Sequence, residues 1–447
     1  MTNRKRLSRV ICAVLTLSML LALSACSTKS SSTPSTTSLS TEPITLNFWD
    51  MTWGTTKYND EGAKLSAAYS KVAKNITVKY TVVPWANRYE NFSVAIASGT
   101  APDVSTGGGF QQHQFAKAGK ILSLDSIVAE WKTEGKLNDF PKGLVDYFKL
   151  DGIQIGIPFN MDLRGIWYRT DLFKAKGLEV PKSFDDIYKA AVALTDPSKG
   201  MYGMVYPVSD SLANTLFANW FTANDSGVWT KDFIPDWTNP KNLEVLNFIS
   251  KMRDAKVFPA GMASYTEPDA QKVFLAGNAA MLPFSMSMGN TLATLPASFA
   301  DNVALMPAFK GPSATEPGTA TALNALMAYK STKYPEQSKA FLKWWSENNF
   351  SLWTVGDCAA FPARTSFQNK TEFSSNKYRK QALDGLMPYV KSLMYPAPNA
   401  ISIQGTLDGE RWWRDVSQAV MIGQKSNDQI LKEMQARAVQ LVKDSLK

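Results

Sequence analysis

Beyond its first forty residues, the chain alternates between segments with the two-residue period of β-strands and segments with the period of helices. Apolar and polar side chains alternate over residues 44–49 (ITLNFW) and 76–83 (ITVKYTVV), and a third strand is predicted after Pro102. Helices are predicted over 57–71 and 86–99. This order of strands and helices predicts an α/β fold in which helices cover a parallel or mixed sheet.

Later segments carry further local signals. Asp151 and Gly152 stand between two apolar segments and predict a hairpin turn. Ser183 precedes Asp186 by three residues, which is typical of the start of a helix. One apolar stripe within residues 430–442 predicts an amphipathic terminal helix; it consists of Ile430, Met434, Ala438, Leu441 and Val442.

The amino terminus has the composition of an export signal. Residues 10–23 form an apolar stretch that follows four basic residues and is too short to span a bilayer comfortably. Residues 23–26, Leu-Ser-Ala-Cys, resemble a bacterial lipobox, which implies a lipoprotein signal peptide over 1–25, a lipid on Cys26 and a location on the outer face of the cell membrane. The alternative is ordinary cleavage near Ala25, with the cysteine incidental.

Residues 26–42 are dominated by Ser and Thr. Such a segment buries too little apolar area to fold, so it is predicted to be a flexible tether. About 400 residues follow it, which is too many for one compact core and enough for two lobes.

Composition excludes several classes of function. The net charge of the chain is +9, and it falls to +5 when the four basic residues of the signal are removed. The sequence contains no block of basic residues of the kind that would indicate nucleic-acid binding. Of the three cysteines, Cys12 lies in the signal and Cys26 is the predicted lipid site, so Cys358 has no partner for a disulfide and is expected to be a buried apolar side chain. His113 is the single histidine, which excludes a histidine-rich zinc site.

Several separate segments resemble one known family. They read, in chain order, FSVAIASGTAPDV, GIQIGIPFNMDLRGIWYRTDLFKAKGLEVPKSFDDIYKAAVAL, DAQKVFLAGNAAML, YPEQSKAFLKWWSE, AAFPARTSF and VSQAVMIGQKSNDQILKEMQ. Together they resemble the extracellular solute-binding proteins of ABC sugar importers, the maltose-binding-protein-like family. The resemblance extends over nearly all of residues 43–447.

The resemblance implies a two-lobe, type II periplasmic-binding-protein-like α/β fold with an interlobe cleft. It implies an N-lobe of residues 43–158 and 318–360 and a C-lobe of residues 159–317 and 361–447. Three crossing segments are expected near residues 159–164, 311–321 and 359–366. The family also implies a monomer that delivers a carbohydrate to the permease subunits of an ABC transporter and that uses no cofactor or metal.

The loops that follow the first three strands are expected to line the cleft, because ligands of open α/β sheets bind beyond the carboxyl ends of the strands. A sugar offers an apolar face to aromatic rings and hydroxyls to fixed polar groups. The aromatic and polar residues of these loops are therefore candidates for ligand binding: Trp53, Trp85, Arg88, Phe110 and Gln111. For each aromatic ring the alternative is a place in the core, and for Arg88 it is an exposed helix start.

Further candidates come from the predicted crossings and from alignment with the family. Asn160 and Asp162 lie at the first crossing, where they either bind ligand or cap turns. Trp413 takes the position of a sugar-stacking tryptophan of the family. The remaining candidates are Trp220, Phe284, Ser287, Met288, Asp357 and Arg364; the alternative is a core position for Trp220 and a structural ion pair for Arg364.

The main hypothesis is therefore a carbohydrate-binding lipoprotein without catalytic activity. One alternative is a surface glycoside hydrolase, since a pair of carboxylates about 5–10 Å apart would suffice for that chemistry and a sequence does not exclude one. Another alternative is a family member that binds a non-sugar solute.

Overall fold

The computed structural model describes residues 42–108, 110–209 and 212–445. The chain from Pro43 onwards forms one compact unit. The predicted signal peptide, Cys26 and the predicted tether up to Thr41 lie outside the described residues. In the part of the chain that the structure describes, every helix is too short or too polar to cross a lipid bilayer.

Twelve strands occur within the described ranges. In chain order they are β1 (Ile44–Met51), β2 (Ile76–Val83), β3 (Val104–Thr106), β4 (Lys149–Leu150), β5 (Ile153–Gln154), β6 (Ile157–Arg169), β7 (Tyr202–Met204), β8 (Ala279–Ser285), β9 (Val303–Leu305), β10 (Thr319–Ala328), β11 (Phe361–Pro362) and β12 (Val390–Ser392).

The α-helices of the same ranges cover the sheet and fill the connections. In chain order they are α1 (Thr56–Ala68), α2 (Arg88–Ala97), α3 (Gln111–Lys117), α4 (Asp125–Thr133), α5 (Thr170–Ala175), α6 (Phe184–Ala193), α7 (Leu212–Ala223), α8 (Pro240–Asp254), α9 (Glu267–Leu275), α10 (Ser287–Leu292), α11 (Ala297–Ala300), α12 (Pro335–Asn348), α13 (Ser351–Thr354), α14 (Thr365–Gln368), α15 (Thr371–Ser374), α16 (Lys377–Gly385), α17 (Gln404–Gly409), α18 (Trp412–Ile422) and α19 (Asn427–Ser445).

Ten of the strands form one mixed sheet. Its main path has the order β2-β1-β3-β10-β6-β8-β7, with β9 and β11 paired to β6 and β12 paired to β10. β1 is parallel to β2 and β3, whereas β10 is antiparallel to both β3 and β6. The predicted mixed α/β architecture is therefore confirmed.

The register of the first three strands determines where their loops emerge. Met51 of β1 pairs with Val83 of β2, and Phe48 of β1 pairs with Val104 of β3. Because the three strands run in the same direction, their carboxyl ends reach the same edge of the sheet. The loops that begin at Thr52, Pro84 and Gly107 therefore start side by side.

The long strand β6 connects two groups of strands. Its first half pairs with β10 and β11, and its second half, from Arg164 onwards, pairs with β8 and β9. All of its residues from Ile157 to Tyr168 are buried except Asp162, which is half-buried. Such a continuous buried run is typical of a strand covered on both faces. The half-buried Asp162 lies where the pairing passes from one group of strands to the other.

Most local predictions are confirmed. β1 contains the predicted strand 44–49, and β2 has the predicted bounds. Asp151 and Gly152, both with positive φ, form the turn between β4 and β5. The Ser183 hydroxyl caps α6 by accepting a hydrogen bond from the backbone N–H of Asp186. Cys358 is buried, as expected.

Candidate functional site

A cavity of about 550 Å³ lies beyond the carboxyl ends of β1, β2 and β3 and opposite the end of β8. The prediction that the loops after the first three strands line one wall of a cavity is confirmed. Residues from both halves of β6 and from β10 complete the lining. The lining residues include Thr52, Trp53, Gly54, Trp85, Arg88, Gly108, Phe110, Asp162, Arg164, Thr215, Glu267, Ser285, Ser287, Asn290 and Asn324.

One wall of the cavity is aromatic. The rings of Trp53 and Trp85 meet edge to face, with centroids 4.8 Å apart and planes at 88°. The indole N–H of Trp85 donates to the backbone oxygen of Thr52 at 2.6 Å, which fixes the second ring against the loop that carries the first. Phe110 extends the same wall. The wall therefore offers flat apolar surfaces whose orientations are held by packing and hydrogen bonds.

A glycine allows the aromatic wall to pack closely. A Cβ atom on Gly108 would lie 3.1 Å from the Trp85 ring and 3.3 Å from Nε of Arg88. The guanidinium of Arg88 lies over the Trp85 ring, 5.3 Å from its centroid. Any larger side chain at position 108 would force this cation and its ring to move. Gly108 therefore allows Trp85 and Arg88 to occupy their positions in the aromatic wall.

Hydroxyl, carboxylate and guanidinium groups form the opposite wall. Arg164 makes a bidentate ion pair with Asp162; its Nη2 lies 2.7 Å from Oδ2, and Nη1 also contacts the carboxylate. Nε of Arg164 donates to the Thr215 hydroxyl at 2.7 Å. The hydroxyls of Ser285 and Ser287 lie 2.5 Å apart at the end of β8. These groups are fixed donors and acceptors whose charges cancel within the pair.

The two walls are joined by a hydrogen bond. Nδ2 of Asn290 in α10 donates to the backbone oxygen of Asp357 at 2.7 Å. The Asp357 carboxylate forms an ion pair with Lys57 at 3.0 Å, next to the loop that carries Trp53. Gly54 allows the loop that carries Trp53 to lie close to the Asp357 backbone, since a Cβ atom at position 54 would be 2.7 Å from the Asp357 backbone oxygen.

A buried carboxyl lies behind Trp53. Asp50, which is fully buried, accepts hydrogen bonds from the hydroxyls of Thr106, Tyr58 and Tyr80 at 2.7, 2.9 and 3.0 Å. Burial raises the pKa of Asp50 from 3.8 to about 6, and these hydroxyls oppose the shift. The Thr106 hydroxyl in turn accepts from the indole N–H of Trp53 at 3.3 Å. The carboxyl is thus linked to the cavity wall.

Six predicted site residues line the cavity: Trp53, Trp85, Arg88, Phe110, Asp162 and Ser287. Gln111 and Asn160 are buried just behind the lining. Oε1 of Gln111 accepts from the backbone N–H of Gly108 at 3.1 Å, and Oδ1 of Asn160 accepts from Nδ2 of Asn324 at 2.7 Å. These two residues support lining residues. That any of these residues binds ligand stays a prediction.

Other predicted site residues lie away from the lining. Trp220 is buried against Phe184, Phe248 and Phe309, and Trp413 is buried against Phe217, Phe221 and Trp237. Phe284 and Met288 are buried beside the serines of β8 and α10, and Asp357 contributes its backbone oxygen to the link between the walls. Trp220 therefore occupies the core position that was its alternative, and Trp413, Phe284 and Met288 are also buried in side-chain packing.

Arg364 is also held in a structural position. It is buried and forms an ion pair with Asp139 at 3.1 Å, and its guanidinium lies over the rings of Trp131 and Phe140. The ion-pair role was the alternative to ligand binding.

Sequence reasoning missed several lining residues. Arg164 had a usable signal, because it follows Asp162 by two residues in a strand and so shares its face. Asn290 follows the predicted site residue Ser287 by three residues in α10, so the two lie on the same side of that helix. Thr215 and Glu267 carried no signal, because helices distant in sequence bring them to the cavity.

The arrangement is suited to binding a polar ring compound. The aromatic wall can contact an apolar face, while the opposite wall offers hydrogen-bonding groups. In the described part of the chain, no three His, Cys, Asp or Glu side chains lie close enough to hold a metal ion.

A mixed sheet with an aromatic and hydroxyl-lined cavity between two groups of strands defines a receptor for small solutes. The chain belongs to the bacterial extracellular solute-binding protein family, whose model matches residues 56–348. It has the two-lobe type II fold of that class, as solved structures show. A sugar transporter protein from Arthrobacter chlorophenolicus A6, solved with laminaribiose, is 27% identical with a TM-score of 0.78, covering 89% of this chain and 99% of that one.

Another solved structure and two curated relatives are also similar to this chain. Maltose-bound MalE3 of T. maritima is 17% identical with a TM-score of 0.74, over 89% of this chain and 99% of that one. Lipoprotein LipO of Bacillus subtilis is 29% identical over 44% of this chain and 41% of its own. The putative ABC transporter periplasmic-binding protein YcjN of Escherichia coli is 24% identical over 50% of this chain and 51% of its own. The chain spans about half the length of these two curated relatives.

Proposed function

We propose that this protein is the carbohydrate-binding component of an ABC importer. The observation that carries the proposal is the cavity of about 550 Å³ with Trp53 and Trp85 on one side and the hydrogen-bonding groups of Asp162, Arg164 and Ser287 on the other. A volume of this size lies within the range of roughly 300–1,000 Å³ typical of small-molecule sites.

The ligand that fits best is a neutral sugar of at least two rings. The bidentate pairing of Arg164 with Asp162 neutralises the charge at the polar wall, so an anionic ligand finds no free guanidinium in that pair. The structurally similar sugar transporter protein was solved with laminaribiose, a disaccharide, which makes this sugar the first candidate.

Calorimetric titration of the protein with laminaribiose, maltose, ribitol and sn-glycerol 3-phosphate tests the proposal. We expect a disaccharide to bind and the phosphate ester not to bind. A thermal-shift assay is the independent readout, because a ligand at a hundredfold excess over Kd stabilises by about 2.7 kcal/mol. Binding of the phosphate ester alone would overturn the sugar proposal and favour a non-sugar solute.

We further propose that the protein binds without hydrolysing its ligand. Asp162 and Glu267 are the carboxylates among the lining residues, and the first is held in the ion pair with Arg164. Both oxygens of the Asp162 carboxylate accept hydrogen bonds from the Arg164 guanidinium, which leaves Glu267 as the lining carboxylate outside that pair, whereas glycoside hydrolysis uses two carboxylates. Chromatography of each sugar after prolonged incubation provides the measurement, and steady turnover would establish the hydrolase alternative.

Ligand binding is proposed to close the two lobes around the cleft. The proposed lobes comprise residues 43–158 with 318–360 and residues 159–317 with 361–447. The proposal is supported by the change of partner strands along β6 and by the Asn290–Asp357 hydrogen bond between the cavity walls. Small-angle scattering with saturating sugar is expected to give a smaller radius of gyration, and an unchanged radius would contradict closure.

We also propose that a lipid on Cys26 anchors the protein to the outer face of the cell membrane. A monomer held there would pass its sugar to the permease subunits. The lipobox-like sequence at residues 23–26 is the support. Cys26→Ser is expected to release the protein from the membrane fraction or to leave the precursor uncleaved, and normal processing with membrane retention would contradict the anchor.

A further inference from the structure

Asp50 holds a charge in an environment that offers no cation. It is fully buried in β1, three residues before Trp53, and in the described part of the chain no Lys, Arg or His forms an ion pair with it. Its hydrogen-bond partners include the hydroxyls of Thr106, Tyr58 and Tyr80, and hydrogen bonding from the Trp53 side chain also favours its ionised form. A carboxylate in such a place costs stability, because burial disfavours the charged form. A structural role alone would be filled at lower cost by a neutral side chain.

The Thr106 hydroxyl uses its full hydrogen-bonding capacity. It donates to Oδ1 of Asp50 at 2.7 Å, and it accepts from the backbone N–H of Met51 at 2.9 Å and from Nε1 of Trp53 at 3.3 Å. A hydroxyl has one proton to donate and two lone pairs to accept with. Asp50 must therefore accept the hydrogen bond from the Thr106 hydroxyl, and both oxygens of an ionised carboxylate can only accept.

We propose that Asp50 and Thr106 are positioning residues that hold the Trp53 indole at the cavity wall, so that the protein binds its ligand more weakly when the Asp50 carboxyl is protonated. This inference rests on the proposed function, because it assumes that Trp53 contacts the ligand.

Protonation of Asp50 weakens the hydrogen-bonded connection from Asp50 through Thr106 to Trp53, whichever carboxyl oxygen receives the proton. A proton on Oδ1 points at the Thr106 oxygen, whose two lone pairs are already used, so the Met51 or Trp53 hydrogen bond is lost. A proton on Oδ2 forces one tyrosine hydroxyl to turn round and leaves Thr106 bonded to a neutral group. Hydrogen bonds to a charged group are roughly twice as strong as those between neutral groups.

The ionisable side chains that interact with Asp50, and the single histidine of the chain, do not change charge near neutral pH. Burial raises the pKa of Tyr58 and of Tyr80 far above the ordinary range, and it also raises the pKa of the Cys358 thiol, which interacts with Asp50. Burial lowers the pKa of His113, the single histidine, to about 4. Between pH 5 and pH 8 these four groups therefore stay neutral.

The first experiment needs no ligand. Tryptophan labelled with nitrogen-15 in the full-length protein gives indole N–H resonances, and Trp53→Phe identifies the one from Trp53. We expect this resonance to shift between pH 5 and pH 8 with a midpoint near 6, the pKa of Asp50. Thr106→Val is expected to abolish the shift and Thr106→Ser to retain it.

Ser105→Ala provides the matched control. It removes a buried hydroxyl from the neighbouring position of β3, where the hydroxyl contacts Tyr329 at 2.9 Å and not Asp50. We expect the control to retain the shift of the Trp53 resonance. A resonance that does not move with pH in the wild type, or that moves equally in Thr106→Val, overturns the inference.

The second experiment measures the Kd of laminaribiose from pH 5 to pH 8. If only the ionised form positions Trp53, the apparent Kd at pH 5 is about tenfold weaker than at pH 8, because about one molecule in ten is then ionised. Asp50→Asn, which is neutral at every pH, is expected to bind weakly with a flat profile.

The outcomes separate the inference from the proposed function. A wild-type Kd that does not change with pH, despite a shifting indole resonance, overturns the coupling to ligand. If no sugar binds at any pH, the sugar proposal and the ligand-affinity part of this inference fail together. The resonance then still decides whether Asp50 positions the ring.

Discussion

Trp53 and Trp85 meet edge to face at the cavity wall, with ring centroids 4.8 Å apart, although 32 positions separate them in sequence. Each ring is also held by a hydrogen bond from its indole N–H, to the Thr106 hydroxyl and to the Thr52 backbone oxygen respectively. Two rings oriented in this way form a corner and not a flat surface. A sugar that stacks on one ring therefore meets the edge of the other.

Trp85→Ala is expected to weaken disaccharide binding by about 2 kcal/mol, or roughly thirtyfold in Kd, because truncating an aromatic residue at the centre of a binding site commonly costs that much. Calorimetric titration gives the measurement. Trp344→Ala is the control, since Trp344 is a half-buried tryptophan packed against Tyr69 and Phe341. Equal loss of affinity in both variants would contradict a contact between Trp85 and the ligand.

Trp413→Ala is expected to lower the stability of the protein and to leave sugar affinity nearly unchanged. Alignment with the family predicted a stacking role for this residue, but its ring is buried against Phe221 and Trp237, with centroids 5.1 and 5.0 Å away. Loss of a core tryptophan costs about 3–5 kcal/mol. Urea denaturation and titration of the folded variant provide the two readouts. A large loss of affinity with normal stability would restore the alignment-based prediction.

Asn290→Ala is expected to weaken sugar binding about two- to tenfold. The change removes the 2.7 Å hydrogen bond from Nδ2 to the Asp357 backbone oxygen, and a hydrogen bond of this kind contributes about 0.5–1.5 kcal/mol. Asn348→Ala is the matched control, because Nδ2 of Asn348 donates to the Trp344 backbone oxygen at 2.8 Å on the protein surface. If Asn290→Ala binds sugar as the wild type does, the hydrogen bond between the walls does not contribute to affinity.

Asp50→Asn is expected to gain stability relative to the wild type as the pH rises. The pKa of Asp50 is raised from 3.8 to about 6 in the folded protein, so its proton contributes stability at low pH that is lost as the pH rises through about 6. Asparagine has no such proton to lose. Between pH 5 and pH 7, the difference in unfolding free energy between variant and wild type is expected to change by about 1 kcal/mol.

Urea denaturation of both proteins at the two pH values measures that change. The many other ionisable groups are common to both proteins, so their contributions cancel in the difference. A difference that stays constant with pH would mean that the pKa of Asp50 is not raised.

The order and type of the elements were predictable because they depend on neighbours in the chain. The alternation in residues 76–83 identified β2, and the Asp151–Gly152 pair identified the turn between β4 and β5. The α/β pattern predicted a parallel or mixed sheet with ligand-binding loops beyond the carboxyl ends of its strands, and the parallel pairing of β1, β2 and β3 brings the loops of Trp53 and Trp85 to one edge. This part of the cavity was therefore predictable from the sequence.

The rest of the cavity depends on contacts between distant segments. Trp85 and Trp413 were both candidates for stacking on a sugar, yet one lines the cavity and the other packs on Trp237. Which face of a helix turns inwards is decided by the packing of helices that are far apart in sequence. Thr215 reaches the polar wall for the same reason, because it lies 51 positions from its partner Arg164. The periodicity of apolar residues along the chain determines whether a segment forms a strand or a helix. Only tertiary packing determines which side chains of these elements meet across the cleft.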